Sequence, residues 1–212
     1  ITSKLAISKD FYTMSINKSK WITNKYSRGR VHLMRSNHDC IITSSNTVIM
    51  DNPKLTCRIA GLKNMSPSRI ILDNKLKIST NLTIVKDAWK HDTIIFYNKF
   101  NKKKIRLLEK LKLRTFKICL DENDNLDLSE SLARAKQLGF SRILLESGIT
   151  LTKSFLIKNL IDDFELFISR KSLKKKGKKN IKKNFKHFFK GKKEKTKKIN
   201  LCGDKLISYE LK

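Results

Sequence analysis

Between Trp21 and Arg58 the chain gathers an indole, arginines that include Arg35 and Arg58, threonines, aspartates and a proline turn into one short interval. Such a mixture suits a ligand site better than a core. The guanidiniums of Arg35 and Arg58 can each grip a phosphate or carboxylate through two parallel hydrogen bonds. Trp21 offers a flat apolar face to a ring. Together they fit a phosphorylated, ring-bearing small molecule.

A second constellation is Glu146-Ser147-Gly148-Ile149-Thr150-Leu151, where an apolar run ends and a helical pattern begins. Backbone N–H groups at a helix start, aided by the helix dipole, favour a pyrophosphate, and Gly148 permits close approach. The bland reading is an ordinary glycine-containing turn from strand to helix. No Gly-x-Gly-x-x-Gly occurs, so a dinucleotide would have to be held without that fingerprint. Thr47 and Asp51 bracket a turn into Asn52-Pro53, a setting in which Asp, Asn and Pro are favoured for conformational reasons alone. The four histidines have no metal-ligand spacing and the four cysteines form no Cys-x-x-Cys pair, so no metal site is predicted.

The elements that must position these groups alternate between β-rich runs and helical patterns. Strands are predicted over 4–8, 40–43, 69–72, 82–85, 93–97, 115–120, 142–145, 164–168 and 205–211. Several are uniformly apolar, as strands covered on both faces should be. Helices are predicted over 24–36, 102–111, 128–138 and 149–160. The third has Asp127 and Glu130 spaced as a capping box, Leu128, Leu132, Ala135 and Leu138 on one stripe, and Gly139 as its stop. Alternation of this kind predicts an α/β fold with a mostly parallel or mixed sheet flanked by helices.

The length of 212 residues and a hydrophobic content of 39% are enough for one substantial domain. The segment 170–198 is dominated by lysine and cannot close a core; it reads as a flexible insert before the last strand, kept loose by self-repulsion. A formal charge of +29 admits two readings, compositional drift or attraction to nucleic acid or an anionic membrane. In the second, Phe185, Phe188 and Phe189 would serve as stacking or anchoring groups. No apolar segment is long enough to cross a bilayer and the start lacks a signal-peptide pattern, so a soluble cytoplasmic protein with reduced cysteines is expected. An Ile at position 1 suggests a fragment of a longer protein.

Six blocks carry a family resemblance: Lys4 to Asp10, Ser19 to Thr23, Val31 to Arg35, Thr47 to Arg58, Arg69 to Asp73 and Leu144 to Leu151, with a resumption at Gly203-Asp204-Lys205. In this order they resemble the reductase domain of the bacterial riboflavin biosynthesis deaminase/reductase. The resemblance implies a dihydrofolate-reductase-like sheet and an NADPH-dependent reduction. Its substrate would be 5-amino-6-(5-phosphoribosylamino)uracil, reduced from the ribosyl to the ribityl form. It also implies the site. Ala6, Ser19, Trp21, Thr47, Asp51, Gly148, Ile149, Thr150 and Leu151 would bind the cofactor, and Arg35, Leu55, Arg58 and Glu146 the substrate. Lys4 and Glu146 would act on the reacting groups. Two positions depart from the family pattern: Phe11 replaces a glycine, and Ser147 stands where a second glycine is frequent.

Relatives of this kind also carry a zinc deaminase, whose His-x-Glu and Pro-Cys-x-x-Cys signature is missing here. No deaminase activity is therefore expected of this chain, although a deaminase domain fused to it or paired with it is. A homodimer is a further expectation from the family. The rival from another class is a non-catalytic, basic protein that binds nucleic acid or a membrane surface on a decayed reductase scaffold.

Overall fold

The structure is a computed structural model that describes residues 1–15, 21–182 and 188–212. In chain order its strands are β1 (Thr2–Ile7), β2 (Tyr12–Ser15), β3 (Cys40–Ser44), β4 (Ser68–Leu72), β5 (Thr93–Tyr97), β6 (Arg114–Lys117), β7 (Ile143–Glu146), β8 (Asp163–Ile168), β9 (Gly177–Asn180), β10 (Lys193–Thr196) and β11 (Lys205–Glu210). Its α-helices are α1 (Lys25–Ser36), α2 (Ser45–Asp51), α3 (Thr83–Lys86), α4 (Lys102–Lys110), α5 (Leu128–Gln137) and α6 (Ile149–Ile157). This is the mixed α/β fold, sheet and flanking helices, that the alternating pattern predicts. The chain separates into two compact units, Ile1–Leu33 with Leu145–Lys212, and Met34–Leu144.

In the first unit β1 pairs with β8 in parallel, Leu5 opposite Leu166, and β11 returns antiparallel on β8 with Leu206 opposite Phe167. The pleat decides which residues face the core: Ser3, Leu5 and Ile7 are buried, while Lys4 and Ala6 share the half-buried face. β10 adds antiparallel to β11. Within 170–198 the described residues thus include two short strands, β9 and β10, which lysine content gave no reason to expect. Phe189 packs against Phe164 and Tyr209, with centroids at 5.0 and 4.3 Å. Its ring is committed to packing, which corrects its reading as a stacking or anchoring group. Phe185 and His187 lie outside the described residues.

In the second unit β3, β4, β5 and β6 are all parallel. Ile41, Ile42, Ile70, Ile71, Ile94 and Ile95 are fully buried there, the expected signature of strands covered on both faces. α5 begins with the cap half of the predicted box, Asp127 accepting from the Glu130 N–H at 2.7 Å. The Glu130 carboxylate accepts from the Cys119 N–H. Gly139 stops the helix at φ +91.

Two predicted elements are corrected. Of Leu82–Val85, expected as a strand for its β-branched residues, Leu82 is the N-cap of α3 and the other three residues lie in that helix. Parallel β4 and β5 need a crossover between them, so this segment must leave the sheet plane, and the Asn52 carboxamide caps it by accepting from the Thr83 N–H at 2.8 Å. Thr47 and Asp51 do not bracket a turn; both lie in α2. Ser44 is its N-cap, its hydroxyl accepting from the Thr47 N–H at 3.2 Å. The turn signals in Asp51-Asn52-Pro53 belong instead to the helix stop, with Asn52 left-handed at φ 41.

Candidate active site

Lys4, Ala6, Trp21, Glu146 and Gly148 to Leu151 belong to the first unit. Glu146 is the last residue of β7 and is buried, 8% exposed. Gly148 follows as the N-cap of α6 and supplies no side-chain cap. The Ser147 hydroxyl turns to the Thr152 hydroxyl, 3.1 Å away. Gly148 and Thr150 are solvent-exposed, so the start of this nine-residue helix opens outward next to a buried carboxylate. Pyrophosphate is the group that such a start suits. Lys4 sits in a cross-strand row with Glu165 and Ser208, and Ser208 donates to the Glu165 carboxylate at 2.7 Å. The register thus places an acid opposite Lys4 in the sheet.

Trp21 is 51% exposed. The Arg28 guanidinium lies over its ring at 4.8 Å and donates to the Thr23 carbonyl at 2.7 Å. Arg28 was not singled out from sequence, since a spacing of seven residues across a helix start gives little signal. Asn24 caps α1 through its side-chain oxygen, which accepts from the Tyr26 and Ser27 N–H groups. Ser19 lies outside the described residues.

Arg35, Thr47, Asp51, Leu55 and Arg58 belong to the second unit. Arg35 closes the last turn of α1 and donates to the Thr56 carbonyl at 3.0 Å. This bond ties one predicted substrate arginine to the segment that carries the other. Leu55 is buried in a left-handed conformation at φ 52, and Cys57 N–H donates to the Ser66 hydroxyl at 3.1 Å. Arg58, two residues beyond Thr56, is exposed. α2 carries Thr47 at its start and Asp51 at its exposed end. A cleft of about 380 Å³ in this unit, lined by Lys63, Ser66, Lys90, His91 and Asp92 among others, includes none of the predicted residues.

Residues 1–183 match the model of the RibD C-terminal domain. The chain belongs to this family. Its match takes in every residue predicted above to touch the cofactor or the substrate. The riboflavin biosynthesis protein RibD of Aquifex aeolicus is 32% identical over 153 residues, which cover 72% of this chain and 41% of that protein. A 5-amino-6-(5-phosphoribosylamino)uracil reductase of Buchnera aphidicola subsp. Acyrthosiphon pisum is 28% identical over 169 residues, covering 73% of this chain and 77% of that protein. Among solved structures, a deaminase/reductase of Thermotoga maritima shares the fold with a TM-score of 0.75 at 22% identity, over 99% of this chain and 55% of that one. Two of the full-length RibD relatives are matched over only 40% and 41% of their length, so this chain spans about two fifths of them. Among the described residues no helix is long and apolar enough to cross a membrane.

Proposed function

We propose that this chain reduces the ribosyl side chain of 5-amino-6-(5-phosphoribosylamino)uracil to the ribityl form with NADPH, beside a deaminase domain that supplies the substrate. Membership of the RibD C-terminal domain family carries the reading. The exposed, glycine-bearing start of α6 next to the buried Glu146 supports it, because backbone N–H groups at a helix start suit the cofactor's pyrophosphate.

When bound, NADPH supplies the hydride that reduces the sugar's C1 carbon, reached through the ring-opened form. The chain's own residues position and protonate. Arg35 and Arg58 hold the 5′-phosphate, each through paired N–H donors. In the first unit Ala6 and Trp21 would contact the cofactor; in the second Thr47 and Asp51 would contact it and Leu55 the substrate. Glu146 holds the substrate next to the reacting carbon, and Lys4 delivers a proton to the oxygen released when the sugar ring opens. Positioned proton transfer of this sort contributes about 10²- to 10⁴-fold.

The decisive assay is spectrophotometric. Purified protein with the phosphorylated substrate should consume the NADPH absorbance and form the ribityl product; a flat trace from folded protein under saturating conditions defeats the proposal.

A further inference from the structure

Residues 171–182 are rich in exposed charge and tied to one place. Seven of these residues are lysine and none is acidic. Asp10, just past the end of β1, binds the segment: Oδ1 accepts from the Leu173 N–H at 2.9 Å and Oδ2 from the Lys174 N–H at 2.6 Å. The Lys9 N–H donates to the Lys171 carbonyl, and the Ile181 N–H to the Phe11 carbonyl. Between these ties β9 pairs antiparallel with β2, Met14 opposite Lys178. Gly177 is required for that pairing, because a Cβ there would stand 2.2 Å from the Tyr12 ring. Phe11 reaches the ribbon in a left-handed conformation at φ 69, the backbone state that the family's glycine would supply without strain.

The arm is therefore a built ribbon on the loop after β1, in the same compact unit as Ala6 and the start of α6. We propose that this lysine arm is a capture surface for the phosphate groups of the dinucleotide that serves the site. The inference rests on the cofactor reading above. Magnitudes decide the form of the effect. Each exposed ammonium contributes little to a static contact. Several of one sign, without acids between them, sum to a field that raises association rates by about 10- to 1000-fold and is screened by salt. The arm should act on capture and leave release alone.

The test is stopped-flow NADPH binding from low to high ionic strength on the whole chain. One variant replaces Lys174, Lys175, Lys176, Lys178 and Lys179 with Gln. A charge-matched control replaces Lys102, Lys103, Lys110, Lys112 and Lys117, all exposed residues of the second unit. A third changes the five arm lysines to Arg. The parent, the control and the Arg variant should lose association rate steeply with salt. The Gln arm variant should associate at least about tenfold more slowly at low salt, with a flat salt profile and a dissociation rate within about twofold of the parent. Equal association rates in the Gln arm variant and the control overturn the capture role, as does an arm variant that loses only salt-sensitive retention of single-stranded RNA. A folded parent that binds no NADPH sinks the cofactor reading along with it.

Discussion

Asp204 and Ser27, 177 residues apart, meet at 2.7 Å, the Ser27 hydroxyl donating to Oδ2 of the buried carboxylate. The same oxygen accepts from the Asn24 N–H at 2.8 Å, and Oδ1 accepts from the Arg170 N–H at 3.1 Å. The loop before β11 thereby holds the start of α1, and with it the Trp21-Ile22-Thr23 segment immediately upstream. Asp204→Ala would strip three donors of their acceptor. An unsatisfied buried donor costs about 1–3 kcal/mol and a partly exposed one less, so a total loss of about 2–4 kcal/mol is expected. In urea the midpoint should fall with the slope unchanged. Asp204→Asn, which keeps one acceptor oxygen, should fall between. An Ala variant with the parental midpoint would contradict the clamp.

Arg69 is the second site where one side chain organises several segments. It is fully buried in β4 and reaches the carbonyls of Lys54, Ile84 and His91, the Thr93 hydroxyl, and the Asp87 carboxylate at 2.8 Å. Burial pulls the guanidinium's pKa down while Asp87 holds it up. Arg69→Met removes the donor to the Lys54 and Ile84 carbonyls and the cation beside Asp87, while the His91 carbonyl keeps the Thr93 hydroxyl; with Asp87 partly exposed, the loss should lie near the lower end of the roughly 3–5 kcal/mol that breaking a buried pair from one side costs. Arg69→Lys should recover less than half of that, since one ammonium cannot span the fork's partners. Denaturation midpoints of the three proteins check this ranking; a fully rescued Lys variant would mean the fork geometry is immaterial.

These two hubs also show where sequence reasoning runs out. Hydrophobic periodicity found the strands of the second unit because residues such as Ile70 and Ile94 are buried on both faces, and it found α5 because its cap and stop are local. Arg69 sits within an apolar run, and nothing local says that its charge is satisfied by residues from three other segments. Leu82–Val85 has strand-like residues but lies on a crossover, so topology overrode propensity. At the candidate site, the arginines and the glycine-bearing helix start were legible as chemistry. The Arg28 contact to Trp21 and the Asp204 clamp were not, because each depends on how separate segments meet in three dimensions.

Asp10 provides a prediction in pH. Burial raises its pKa, but hydrogen bonds from the Ser8 hydroxyl and the Leu173 and Lys174 amides outweigh this and hold it below the ordinary value of 3.8. A depressed folded-state pKa means that the ionised form favours the folded ribbon. Its contribution is present above pH 3.8 and is lost as pH falls from there through the lower, folded value. Amide exchange at Leu173 and Lys174, corrected for the intrinsic pH dependence, should therefore speed up below about pH 4. Asp10→Asn should show that faster exchange already at neutral pH. Protection that is unchanged in the Asn variant would remove Asp10 from its role as anchor.

For Arg35, recognition has to be separated from architecture. Arg58 is exposed, whereas Arg35 also donates to the Thr56 carbonyl at 3.0 Å. If both hold the substrate phosphate, Arg58→Ala removes a charge-assisted contact of about 1.5–3 kcal/mol, so KM should rise about 10- to 150-fold with kcat little changed. Arg35→Ala should show a similar rise in KM together with about 1 kcal/mol of lost stability, because the Thr56 carbonyl loses its donor. With a substrate lacking the phosphate, the Arg58→Ala and parent proteins should become equivalent, since the group that the guanidinium grips is gone. A KM penalty that persists on that dephosphorylated substrate would place Arg58 elsewhere in the site, and no penalty on either substrate would remove it from binding altogether.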